Sequence, residues 1–174
     1  LLVPLHGPTP RWLERAYREV ERRADGEPAG YAVGSLVPLA PDYEKVASLI
    51  AAARRVVGEA PLHVFGLTGP ATLGLLALAG ADTLDSKTFI ITAAKRLFYL
   101  PLRSPRPYSR VRVSDLPGEP SGVCGCPVCR SHSLGEMREN TRLLTLHNLY
   151  VLWERLLGVR GALAEGELEE HERR

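Results

Sequence analysis

Over the first 86 residues, short apolar runs trade places with longer stretches in which apolar residues recur at helical spacing. LLVPLHG (1–7) predicts a strand. Thr9 then caps, and Pro10 opens, a helix whose apolar face is Trp12, Leu13, Ala16, Tyr17 and Val20, with charged residues on the other side. YAVGSLV (31–37) predicts a second strand, and a helix from about Asp42 carries Val46, Leu49, Ile50, Ala53 and Val57 on one side. LHVFGL (62–67) predicts a third strand, Gly69-Pro70 opens a helix ending at Gly80, and ADTLDS (81–86) predicts a short fourth strand. Strands joined by helices cannot run as hairpins, so this β-α-β-α-β-α-β order implies an α/β fold with a parallel sheet.

Beyond Ser86 the pattern changes. Residues 87–100 mix apolar with basic residues, and 101–120 hold five prolines, which predicts an excursion without regular structure. From about Glu136 a helical period resumes, with Leu143, Leu144, Leu149, Leu152, Trp153 and Leu156 on a wide apolar face. The charged stretch 165–174 reads as a frayed tail. Four strands do not close a barrel, for which about eight are needed. The sheet is therefore either open or half of a barrel.

Composition narrows function only slightly. With 45% hydrophobic and 24% charged residues and a formal charge of +2, the chain has an average globular composition and no polyanion-binding excess of charge. Its apolar stretches fall far short of the ~20 residues of a membrane span, and no signal segment opens it, so a cytoplasmic location is expected. It begins at Leu1 inside an apolar run, as a fragment would.

All three cysteines fall within CGCPVC (124–129), which argues against a disulfide framework and for a metal or reactive site. The spacing is C-x-C-x2-C, with seventeen residues between Cys129 and His147. A tight loop can supply three corners of a zinc tetrahedron, and a histidine on a following helix supplies the fourth while pinning that helix to the loop. His132 is a second candidate, but a ligand so near would tie nothing together, so His147 is preferred. A set of buried or redox cysteines without metal is the alternative. With four ligands the metal would serve folding rather than catalysis.

Three predicted strands end near a glycine: Gly7, Gly34 and Gly66. Glycine there leaves room for a ligand or a sharp turn, and in a β/α barrel that end of the strands is the active face. Asp82 and Asp85 lie at the end of the fourth strand, where a carboxylate is either a nucleophile or acid–base group, or a turn cap. Lys87, Lys95 and Arg96 follow, interleaved with Phe89, Phe98 and Tyr99, which suits either a polynucleotide or an ordinary solvated face.

Taken together, VPLHG (3–7), YAVGSLVPL (31–39), HVFGL (63–67), GADTLDS (80–86), CGCPVC (124–129) and LLTLHNLYVL (143–152) resemble the tRNA-guanine transglycosylase family, most closely its archaeosine-type branch. The resemblance implies the C-terminal half of a (β/α)8 TIM barrel with a zinc-binding insertion after the last strand. Residues 1–100 would form the half-barrel, 101–147 the zinc-binding loop module, and 148–174 the C-terminal helix and charged tail. It implies a pentosyltransferase that replaces guanine in tRNA by a 7-deazaguanine such as preQ0. Asp85 would be the nucleophile that attacks C1′ of the ribose, Gly34 would give its backbone to the base, and Cys124, Cys126, Cys129 and His147 would bind one structural zinc ion. Lys95 and Arg96 are candidates for the basic surface that receives the RNA. His6 stands where the family usually has a base-reading glutamine, and KTFIITAAKRLFYLP (87–101) departs from the family after D-S. These departures put substrate identity in question, and a DNA-modifying paralogue is the alternative. A second catalytic aspartate belongs to the family's N-terminal half-barrel, so the chain is not expected to turn over without that half or an equivalent subunit. A non-catalytic, zinc-stabilised RNA-binding or partner subunit, or an unrelated zinc-containing α/β protein, are the remaining readings.

Overall fold

The computed structural model describes residues 1–101, 108–116 and 118–173, which divide into two compact units. The first comprises Leu1–Thr68 and Gly74–Ser86, and the second Gly69–Leu73 and Lys87–Arg174.

The first unit is built on a parallel sheet of β1 (Leu2–Leu5), β2 (Gly30–Val33), β3 (Leu62–Val64) and β4 (Thr83–Leu84), in the order β1-β2-β3-β4. Each crossover is a helix: α1 (Pro10–Arg23), α2 (Tyr43–Val57) and α3 (Leu73–Leu78). Local chemistry sets their starts. The Thr9 hydroxyl accepts from the Trp12 amide with Pro10 in the first turn, and the Asp42 carboxylate accepts from the Lys45 amide at 2.9 Å. All four β2 residues are buried, as an inner strand requires, and the core gathers Leu5, Leu13, Val33, Ile50 and Leu62. The strands are shorter than the apolar runs suggest. Beyond β2, Ser35 turns to φ 61° and Val37–Leu39 coils into a 3-10 turn, so the expected strand stops at Val33.

Asp82 precedes β4 rather than ending it. Its Oδ2 accepts from the Leu62 amide at 2.7 Å and pairs with Arg54 of α2. Arg54 also donates to the carbonyls of Gly80 (3.0 Å), Gly58 (2.6 Å) and Ala60 (3.0 Å). One guanidinium thus ties the last turn of α2 to the start of β3 and β4. Gly80 is obligatory beside it: its φ is +106°, and an added Cβ would lie 2.8 Å from Arg54 Cγ.

In the second unit, α4 (Thr88–Ala94) leads into β5 (Leu97–Pro101), which pairs antiparallel with β6 (Tyr108–Arg112) through five residue pairs. The expectation of irregular structure throughout 101–120 is therefore corrected at its start. Val111 and Leu100 pack onto a core that includes Phe98, Val113 and Met137, and that apolar face is what makes the ladder. Pro105, Pro107 and Pro117 lie outside the described residues. Three helices follow: α5 (Pro127–Ser131), α6 (Leu134–Glu139) and α7 (Thr141–Glu165). The helix expected from Glu136 is broken at Asn140, whose side chain caps α7 by accepting from the Arg142 amide at 3.0 Å. α7 runs unbroken through residues 147 and 148. The tail is not frayed: α8 (Leu168–Arg173) buries Leu168, and buried Arg155 pairs with Glu172 and reaches His171 Nε2 at 2.8 Å. None of the described helices is long and apolar enough to cross a membrane.

Removing the Asp82 carboxylate leaves the Leu62 amide without its acceptor and Arg54 with backbone carbonyls only. Asp82→Ala is expected to cost about 1–3 kcal/mol, read as a lowered urea midpoint, whereas Asp82→Asn, which keeps an oxygen there, recovers most of the loss.

Candidate active face and metal centre

Register builds the first site. The ladders align Leu5, Val33, Val64 and Leu84 in one row, so His6, Gly34, Phe65 and Asp85 form the next row at the carboxyl ends of all four strands. The Gly34 amide still donates to Leu5 O (3.3 Å) and the Phe65 amide to Val33 O (3.0 Å), which carries the sheet into this row. His6 lies directly over Gly34: a Cβ on Gly34 would come within 2.6 Å of His6 Cε1. His6 Nδ1 meets the Ser35 hydroxyl at 3.1 Å, and Ser35 holds the positive φ of 61° that a serine rarely adopts. Gly34 therefore serves the close approach of His6, with its amide already committed to the sheet.

Asp85 is the half-exposed end of the row, its side chain 50% accessible. Its Oδ1 accepts from the Gly66 amide at 2.8 Å. Gly66 presents that amide from φ +76°, a conformation that a side chain would strain. His63 Nε2 faces the same oxygen at 3.4 Å, and His63 Nδ1 meets Thr83 Oγ1 at 2.8 Å. Of the two aspartates of the fourth strand, Asp82 is thus spent on the fold and Asp85 presents its carboxylate at the carboxyl end of the sheet. His63 carried no signal in the sequence beyond its place in LHVFGL; alternation along β3 was the only clue that it shares a face with Phe65 and the β4 neighbours.

Lys95 and Arg96 belong to the second unit. Lys95 ends α4 and is exposed. Arg96 takes φ 60° and donates to Thr141 Oγ1 at 2.9 Å, so its guanidinium joins the start of β5 to the first turn of α7.

The second site is the cysteine loop with α7. Cys124, Cys126, Cys129 and His147 place one ligand atom each within 4.8 Å of one another, and the set could hold a metal ion. Cys126 caps α5 with Pro127 in the first turn, and its sulfur accepts from the Cys129 amide at 3.3 Å. His147 Nδ1 lies 3.4 Å from Cys126 Sγ and 3.2 Å from Cys129 Sγ. Its other nitrogen, Nε2, meets the Tyr99 carbonyl at 3.0 Å. A carbonyl can only accept, so Nε2 carries a proton and Nδ1 is the nitrogen that faces the sulfurs and is free to ligate a cation once deprotonated. Phe98 stacks on the ring at 3.6 Å between centroids. Asn148, also fully buried, accepts from the Tyr99 amide at 2.9 Å and donates to Leu97 O at 3.0 Å. Two adjacent α7 residues therefore grip β5 by its backbone, a task for Asn148 that its residue type in LLTLHNLYVL does not reveal.

The electrostatics explain why this cluster wants a cation. Hydrogen bonds from Cys124 and Cys129 hold the Cys126 thiol down, while the neighbouring sulfurs and burial push Cys129 up. Burial pushes His147 down, but hydrogen bonds to the sulfurs of Cys124 and Cys126 outweigh it and raise the imidazole to about 9. Three thiolates in contact cannot all ionise by themselves, and a central cation removes that conflict. His132 is not part of the group. It faces Glu136 at 3.1 Å, and Glu136, whose carboxylate accepts from the Ser133 amide and then from His132, is held down to about 2.

The sequence pattern that defines the family described as queuine tRNA-ribosyltransferase matches residues 4–174. The chain belongs to the queuine tRNA-ribosyltransferase family. A tRNA-guanine(15) transglycosylase of Archaeoglobus fulgidus is 31% identical over 177 residues, covering 98% of this chain and 34% of the relative. That of Haloferax volcanii is 32% identical over 161 residues, covering 87% of this chain and 30% of the relative. That of Thermococcus onnurineus is 33% identical over 146 residues, covering 79% and 24% respectively. The chain thus spans about a third or less of the length of these curated relatives. An α/β unit with a parallel sheet and crossover helices accords with the barrel of the queuine tRNA-ribosyltransferase family.

Metal analysis of purified protein separates the two histidines. His147→Ala is expected to lose the bound metal, and His132→Ala to keep about one ion per chain.

Proposed function

We propose that these residues form the C-terminal half of a transglycosylase barrel that exchanges guanine in tRNA for a 7-deazaguanine base, with Asp85 as the nucleophile. The observation that carries the reading is the carboxylate at the end of β4, half-exposed in the row of strand ends and fixed through one oxygen by the Gly66 amide. In the first step Asp85 attacks C1′ of the target ribose, and guanine leaves with the electron pair of the N-glycosidic bond and takes up a proton. In the second, the ring nitrogen of the incoming base attacks C1′, loses its proton, and Asp85 departs as carboxylate. Splitting the exchange in two lets each step pass through an oxocarbenium-like centre that a carboxylate can trap and release. His6, over Gly34 and steadied by Ser35, lies where the base would be read. A neutral imidazole offers one donor and one acceptor on opposite sides of its ring, unlike a carboxamide, so it would read a base edge differently. The remaining strands, and a second carboxylate for acid–base work, come in this reading from polypeptide outside these 174 residues.

The reading assigns zinc to the cysteine–histidine site. In a zinc tetrahedron with bonds of about 2.3 Å to sulfur and 2.0 Å to nitrogen, a sulfur and a nitrogen lie about 3.5 Å apart. The two S···N separations of 3.4 and 3.2 Å are close to that edge. Bound there, zinc would supply charge neutralisation and a crosslink, and no step of the exchange. Residues 1–100 act as the half-barrel, 101–147 as the zinc module and 148–174 as the supporting helix and tail. Lys95, exposed at the end of α4, is available to a phosphate, whereas Arg96 is shared with Thr141. Action on tRNA fits a cytoplasmic protein.

With the N-terminal half-barrel supplied, the protein is expected to form a covalent adduct with tRNA that survives denaturing electrophoresis, and Asp85→Asn abolishes it. An adduct that persists in Asp85→Asn contradicts the assignment.

A further inference from the structure

Asp85 does not stand alone, and the group beside it has chemical consequences. One carboxylate oxygen, Oδ1, receives the Gly66 amide at 2.8 Å and faces His63 Nε2 at 3.4 Å. His63 is locked at its other end, with Nδ1 2.8 Å from Thr83 Oγ1, and its ring meets Phe65 edge-on at 4.6 Å between centroids. Its side chain is 13% exposed. An ionised carboxylate only accepts, so the tautomer that serves this contact carries its proton on Nε2 and receives the Thr83 hydroxyl proton at Nδ1. The pair is built across two strands, because His63 and Thr83 are register partners in β3 and β4.

We propose that His63 is a positioning residue for Asp85 and that, with the Gly66 amide, it forms a two-donor cradle for Oδ1 that speeds release of the ribosyl group; this rests on Asp85 being the nucleophile. The Gly66 amide is bonded to Oδ1 and His63 Nε2 faces the same oxygen at 3.4 Å, close enough to tighten onto it as charge develops, so Oδ2 attacks C1′ and Oδ1 becomes the carbonyl oxygen of the glycosyl ester. When the incoming base attacks C1′, the C1′–Oδ2 bond breaks and its electron pair returns to the carboxylate. The negative charge shared by Oδ1 then develops against two donors already in place. Donors aimed at charge that appears in the transition state act on that step most. The same donors make the free carboxylate a slightly weaker nucleophile, so removing one slows the second step more than the first.

The reading has two tests. In the chain by itself, ¹⁵N NMR of the imidazole is expected to show His63 as the Nε2–H tautomer, with its ring signals shifted in Asp85→Asn. An Nδ1–H tautomer indifferent to Asp85→Asn overturns the proposal whether or not catalysis can be measured. In the protein completed by the N-terminal half-barrel, His63→Ala is expected to slow base exchange by up to about 100-fold. The covalent RNA adduct should meanwhile accumulate above its wild-type level, and His63→Gln, which restores an N–H near Nε2, should return both toward wild type. Loss of adduct and exchange in equal proportion in His63→Ala would mark a merely structural role and overturn it, as would no change in either. An adduct that persists in Asp85→Asn faults the nucleophile assignment instead, and the cradle with it; the NMR result then distinguishes a real contact from a mistaken role.

Discussion

The second unit depends on the hydrogen bond from His147 Nε2 to the Tyr99 carbonyl. It places a proton on Nε2 of a fully buried imidazole, turns Nδ1 toward two sulfurs, and joins the second turn of a 25-residue helix to the backbone of β5. Asn148 completes the grip on the amide side of the same residue. Loop, hairpin and helix therefore meet at Tyr99, and a cation among the sulfurs would convert that meeting point into a crosslink. Without it the three sulfurs cannot all ionise at such close quarters, which is why folding and metal binding are expected to be one process here.

The first unit depends on a different constraint, register. Parallel pairing puts one residue from each strand into a common row, and the row after Leu5, Val33, Val64 and Leu84 holds His6, Gly34, Phe65 and Asp85. A one-residue slip in β4 would exchange Asp85 for its neighbour and turn the carboxylate to the other face. The arrangement that resists such a slip is at the opposite end of the strand, where Asp82 holds the Leu62 amide and Arg54 ties three loop carbonyls together. One aspartate of D-T-L-D is thus spent on holding the alignment that presents the other.

Much of this was legible in the sequence, for physical reasons that also explain what was not. Apolar runs and helical spacing located the four parallel strands and their crossover helices, because burial imposes those periods. The three cysteines and His147 could be grouped from spacing, since few other reasons bring such residues into one loop. Strand ends were harder: the sheet stops at Val33 because of a backbone turn at Ser35 that composition does not encode. The β5–β6 ladder was hidden by surrounding prolines, and the docked α8 by its charge, although Leu168 is buried and Glu172 answers Arg155. Alternation puts His63 on one face of β3, but its contact with Asp85 is made across two strands and is not encoded locally.

The central claim is that this row of strand ends serves base exchange on RNA. It is tested most directly by following labelled guanine into nucleic acid with the N-terminal half-barrel present, using tRNA and duplex DNA in parallel. The account predicts label entering tRNA, none entering DNA, and none entering either with Asp85→Asn. Label entering DNA alone, or entering tRNA undiminished in Asp85→Asn, would contradict it.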